Sequence, residues 1–157
     1  KDKSDPLLDS IKSEIRDILD NANIAYENQE LEISCHCGLK NFRETGCGII
    51  TKVNREYCKK LIICLPNQSH PTHRHIQKEE CFELLHGDCT VTMDYETIKL
   101  VKGEPVLVPV GANHSFKTEG GCVLEEISSR HIKGDSVYSD PSINKLPLNK
   151  RKINTRL

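Results

Sequence analysis

Ser69-His70-Pro71-Thr72-His73-Arg74-His75-Ile76-Gln77-Lys78-Glu79-Glu80 is the stretch from which the fold and the chemistry of this chain are best read. Along an extended strand successive side chains alternate faces, so His73 and His75 point the same way. A short turn then brings Glu80 into a following strand, which is expected to pair with the first and present its carboxylate to the same point. Two imidazoles and a carboxylate suit a borderline divalent ion such as Mn, Fe, Ni, Co or Zn. A fourth ligand is expected from His114, which follows the turn Pro109-Val110-Gly111-Ala112-Asn113.

Outward from this stretch the chain reads as short strands punctuated by turn residues. Strands are expected over 31–34, 48–54, 60–65, 79–85, 90–95, 96–100, 105–108, 114–117 and 123–128. Pro66-Asn67, His86-Gly87-Asp88, Lys102-Gly103-Glu104 and Glu119-Gly120-Gly121 mark turns between them. Many short strands at near-regular spacing, with helix only at one end, predict an all-β sandwich or barrel. The helix is expected over 5–22. Leu7, Leu8, Ile11, Ile15, Ile18, Leu19 and Ala22 recur at helical spacing, and Asp5-Pro6 supplies an N-cap followed by proline at N1.

The spacing of these residues resembles the two motifs of the cupin superfamily. The first, G-x5-H-x-H-x3,4-E-x6-G, is matched by His73, His75, Glu80 and Gly87, with Asn67 at the leading glycine; asparagine is the best mimic of glycine at positive φ. The second, G-x5-P-x-G-x2-H-x3-N, is matched by Gly103, Pro109, Gly111 and His114, with Thr118 at the final position. The resemblance implies a cupin double-stranded β-helix, a jelly-roll barrel with an N-terminal α-helix. It also implies one divalent metal, manganese first among the candidates, on His73, His75, Glu80 and His114. One domain is expected over 1–157, with a helical segment at 1–24, the barrel at 30–130 and an arm at 131–157.

Finer phrases carry a narrower resemblance. Asn54-Arg55-Glu56-Tyr57-Cys58-Lys59-Lys60-Leu61, Glu32-Ile33-Ser34, Gly38 and Glu125-Glu126-Ile127-Ser128 look like the cupin domain at the C-terminus of some N-acetylneuraminate (sialic acid) synthases. His73-x-His75-x2-Lys78-x-Glu80, with the later Glu126-Ile127-Ser128, is similar to D-lyxose isomerases, which are Mn-dependent. The isomerase likeness implies an aldose–ketose interconversion through an enediol. Glu126 would then act as the base, and Lys78 would donate to a substrate oxygen or assist proton transfer. Glu125 and Glu126 are adjacent on a strand, so only one of them can line the pocket. Two further readings stand beside this one: a non-catalytic sugar-binding domain of a nonulosonate synthase, and a metal-dependent dioxygenase, which needs neither Lys78 nor Glu126.

Other residues are weaker guides. Phe82 and Leu84 are expected on the inward face with Glu80. His36 and His70 either enter the pocket or fill structural positions, and Arg130, His131 and Asp135 sit where a substrate-binding rim would be. The eight cysteines contain no CxxC pair and several lie in apolar stretches, so they read as buried structural thiols. The tail from Pro141 holds Lys145, Lys150, Arg151, Lys152 and Arg156 without an acidic residue. It reads as a solvated arm or an edge strand rather than a patch for an anionic partner.

Charged residues make up 29% and the net charge is −1, so nothing global favours nucleic acid or a membrane surface. No apolar run approaches the roughly 20 residues that span a bilayer. Lys1 to Asp9 holds no apolar signal-peptide core, which predicts the cytosol. The first residue is not methionine, as in a trimmed chain or a domain cut from a longer one. The expected partner is a small sugar, and a homodimer is expected by analogy with other small cupins.

Overall fold

The computed structural model describes residues 4–157. Helix α1 (Pro6–Asn21) begins where Asp5 caps it, its carboxylate accepting from the amides of Leu7 at 3.0 Å and Leu8 at 3.3 Å. Asn23 follows in the left-handed region (φ 56°), which ends the helical run. Ile11, Ile15 and Leu19 are fully buried on its inner face. They pack on Leu31, Ile33, Ile50, Leu61, Ile63 and Val123, the outward-facing set of the larger sheet. The helix therefore covers the outside of the barrel.

The strands are β1 (Glu30–Ser34), β2 (Cys47–Asn54), β3 (Tyr57–Cys64), β4 (Ser69–His75), β5 (Glu80–Gly87), β6 (Thr90–Met93), β7 (Glu96–Lys99), β8 (Val106–Val108), β9 (His114–Lys117), β10 (Cys122–Ser129), β11 (Ser136–Tyr138) and β12 (Lys152–Arg156). They form two antiparallel sheets, of seven strands in the order β12-β1-β2-β3-β10-β5-β8 and of five in the order β11-β4-β9-β6-β7. Between them lies a second core of Ile62, Phe82, Leu84, Val91, Leu100, Val108, Phe116 and Leu124, joined by Cys47, Cys64, Cys89 and Cys122. This is the jelly-roll barrel with an N-terminal helix that the sequence predicts. Six of the eight cysteines are buried, and none forms a disulfide.

One expectation is overturned. Glu80 does enter the next strand, but β5 does not pair with β4; the two belong to opposite sheets. Residues 76–79 carry the chain across the barrel as an arch instead of a hairpin. Asp135 fastens that arch, accepting from the backbone amides of Gln77 at 2.8 Å and Lys78 at 3.0 Å. Glu80 thus faces the histidines across the interior instead of lying beside them.

The sheets also draw on residues beyond 130. β11 pairs with β4 (Val137 opposite Arg74, Tyr138 opposite His73), and the basic tail ends as the edge strand β12 on β1. Two short helices, α2 (Pro141–Asn144) and α3 (Leu148–Arg151), connect them. Among the described residues no helix is long and apolar enough to cross a membrane.

Candidate functional site

The four residues singled out by spacing converge. His73 and His75 project from β4 and His114 from β9 on one sheet, and Glu80 projects from β5 on the other. Each offers one ligand atom, and those atoms all lie within 4.8 Å of one another. All four residues are buried, Glu80 to 2% exposure. The register makes this convergence geometric: His73 stands directly opposite His114 across the β4–β9 ladder.

The hydrogen bonds suit this group to holding a cation. The His73 and His114 Nδ1–H groups donate to the carbonyls of Pro71 and Ala112, each at 3.0 Å. A carbonyl only accepts, so the proton sits on Nδ1 and the lone pair of Nε2 is free. His75 Nδ1 is flanked by the Ser136 hydroxyl at 3.3 Å and the Asp135 carboxylate at 4.0 Å. His75 Nε2 and His114 Nε2 each approach a Glu80 oxygen at 3.0 Å. Yet both nitrogens and Glu80 Oε2 are buried without a hydrogen-bond partner. Lone pairs facing lone pairs in a dry interior call for a cation between them. The set of three imidazoles and one carboxylate can hold a divalent metal ion. Burial, aided by His114 and His75, also holds His73 well below the ordinary histidine range, keeping the imidazole neutral as a ligand must be.

Beside this group lies a second one. The Lys78 ammonium sits 2.9 Å from Glu80 Oε1 and 3.4 Å from Glu126 Oε2, and all three side chains are buried. Burial alone would lower the Lys78 pKa; Glu126 and Glu80 outweigh it and raise it. Glu126 is pushed up to about 7, by burial first and by Glu80 second. Of the adjacent pair, Glu126 faces the interior, while Glu125 faces outward to Lys59 at 3.5 Å.

His73, His75, Lys78, Glu80 and Glu126 line one cavity of about 60 Å³. Phe82 and Phe116 form its apolar wall, whereas Leu84 packs deeper in the core. Of the two undecided histidines, His70 lines the cavity, stacked on Phe116 with centroids 4.7 Å apart. His36 lies behind it and bonds the Tyr138 hydroxyl at 2.8 Å. The three rim candidates divide. His131 lines the cavity, Asp135 supports the arch, and Arg130 points away to pair with Glu56. Sequence reasoning missed Lys60, Glu32, Ser136, Tyr138 and Lys152, all of which also line it. Lys60 shares one face of β3 with Ile62 and stands opposite Glu126 on β10.

Residues 61–127 match the cupin domain family. Among curated proteins, a D-lyxose/D-mannose isomerase of Thermosediminibacter oceani is 25% identical over 87% of this chain and 93% of its own length. A D-lyxose ketol-isomerase from a Thermofilum species is also 25% identical, over 77% of this chain and 83% of its own. Among solved structures, the L-ribose isomerase of Cellulomonas parahominis superposes with a TM-score of 0.75 at 15% identity, covering 90% of this chain and 95% of that one. That likeness is one of fold. The stretch that matches the cupin domain family, residues 61–127, contains all four converging side chains, His73, His75, Glu80 and His114.

Proposed function

We propose that this chain is a metal-dependent aldose–ketose isomerase of the D-lyxose isomerase type. His73, His75, Glu80 and His114 hold one divalent ion, manganese being the first choice and Fe, Ni, Co or Zn compatible with the same donors. The observation that carries the reading is the buried Glu126 carboxylate, placed beside Lys78 in the cavity that His73, His75 and Glu80 also line. A dioxygenase has no use for that pair. The names of the curated relatives point the same way.

When bound, the ion supplies a Lewis acid that polarises an aldose carbonyl and acidifies the hydrogen on the neighbouring carbon. The chain's own residues do the rest. Glu126 takes the proton from C2 and returns it to C1 while the O2 hydroxyl proton passes to O1, which converts an aldose to a ketose with no atom gained or lost. Burial weakens its preference for the ionised form and so matches the carboxylate to both halves of that transfer. Lys78 holds the Glu126 carboxylate in place and presents a positive charge toward the oxygen on which negative charge develops.

The test is proton NMR of Mn-loaded protein in D2O with lyxose, mannose, xylulose, fructose and N-acetylmannosamine. Deuterium entering C1 or C2, together with the matching ketose or aldose, is the expected result. No exchange with any of these sugars, from protein holding one metal per chain, would replace the isomerase with a sugar-binding domain.

A further inference from the structure

Three carboxylates and three lysines line the cavity, but they do not pair one to one. Lys152 is paired with Glu32 at 3.3 Å, and Lys78 is shared between Glu80 and Glu126. Lys60 is left over. It is 6% exposed and lines the cavity, yet it makes no ion pair among the described residues. Its cross-strand partner is Glu126, whose carboxylate bonds Lys78 instead. The one polar contact of the Lys60 ammonium is to a neutral acceptor, Nδ1 of His131, at 3.2 Å. A buried ammonium without a carboxylate is costly unless an anion completes it.

The surroundings prepare that place for a ligand. His131 is fixed at the mouth by Asn54, whose amide nitrogen donates to the His131 carbonyl at 3.2 Å while its oxygen accepts from the His131 amide at 2.9 Å. Because His131 Nδ1 accepts from Lys60, its Nε2 carries the proton. Lys60 and His131 therefore offer N–H donors and no acceptor. A sugar hydroxyl both donates and accepts, so it uses such a place poorly; a carboxylate or phosphate only accepts. β10 lies between β3 and β5, which sets Lys60 two strand spacings, about 10 Å, from the strand bearing Glu80. A sugar held by its first carbons at the metal group would extend across β10 toward Lys60.

We propose that Lys60 and His131 form an anion subsite that selects aldoses carrying a carboxylate or phosphate at the carbon remote from the reacting end. The proposal deepens the isomerase reading and rests on it only for the choice of sugar. Isothermal titration calorimetry of the metal-loaded chain with D-mannose, D-mannuronate and D-mannose 6-phosphate tests it. These ligands share one ring and differ at C6, so the two anions separate the two sources of charge.

At least one anion is expected to bind tenfold or more tightly than mannose, with the preference shrinking as salt is raised. In Lys60→Gln the preference should fall to within threefold, while metal content stays at one per chain and mannose affinity moves by less than threefold. His131→Ala, a change at the half-exposed mouth, should reduce the preference without affecting the melting temperature by more than a few degrees. If mannose binds as tightly as both anions, the proposal is overturned without recourse to any variant. It is equally overturned if the preference survives Lys60→Gln. Deuterium exchange on neutral aldoses judges the isomerase reading separately, because this test reads binding alone.

Discussion

Glu80 meets His75 from the opposite wall of the barrel, Oε1 to Nε2 at 3.0 Å, although only residues 76–79 separate them in the chain. The metal group therefore bridges the two sheets, and filling it ties them together. At a free ion concentration a hundredfold above Kd, binding adds about 2.7 kcal/mol of stability. His75→Ala is expected to lose that increment and to drop the bound metal from one ion per chain to near none. Elemental analysis and melting curves with and without EDTA check both statements. Retention of one ion by the variant would refute the ligand set.

Glu126→Gln keeps the shape of the side chain and removes the proton acceptor. Loss of deuterium exchange by about 10²-fold to 10⁴-fold is expected, with metal content unchanged. Exchange within tenfold of the parent protein would move the base elsewhere in the cavity.

Asn67 has φ 63° at the position of the first motif's leading glycine. Asn67→Ala should cost about 1–2 kcal/mol, since a Cβ without a local polar partner is strained there, whereas Asn67→Gly should be near neutral. Gly87→Ala should be worse than either. Its φ is 81°, and an added Cβ would lie 2.0 Å from the Gly121 carbonyl oxygen. Urea midpoints for the three variants give the order directly.

Asp88 holds the turn before β10, accepting from the amides of Glu119 at 2.9 Å and Gly120 at 2.8 Å. These bonds, with Glu119 first, keep its pKa below the usual carboxylate value. A depressed folded-state pKa means that the stabilisation is complete above the unfolded value of about 3.9 and fades as pH falls toward the folded one. Asp88→Asn should therefore be less stable than the parent at pH 7, and the gap should narrow below about pH 4. An unchanged gap at pH 3 would contradict this.

The strands were legible because hydrophobic alternation and turn residues are local signals, and the four converging residues were legible because motif spacing is local too. Which sheet a strand joins is not local. The interval between His75 and Glu80 fits a hairpin as well as an arch, and Asp135, some 60 residues on, decides between them. Lys60 was invisible for a related reason: in Lys59-Lys60 one lysine faces out and the other in, and only pairing with β10 says which. Asp140-Pro141 repeats the capping grammar of Asp5-Pro6, with Asp140 accepting from the Ser142 amide. That signal for a helix start inside the tail was readable and went unused. Tyr138 and Lys152 reach the cavity mouth only through the ladders β11–β4 and β12–β1, which no short window of sequence contains.

Those late ladders impose an order of events on a chain made from its N-terminus. The four candidate ligands and strand β10 are all made by Ser129, while Ser136, Tyr138 and Lys152, which also line the cavity, are still to come. A nascent barrel thus presents its histidines and glutamate through a wider doorway than the finished protein does. The C-terminal segment is therefore the last wall of the cavity to be built, after every side chain of the candidate ligand set is in place.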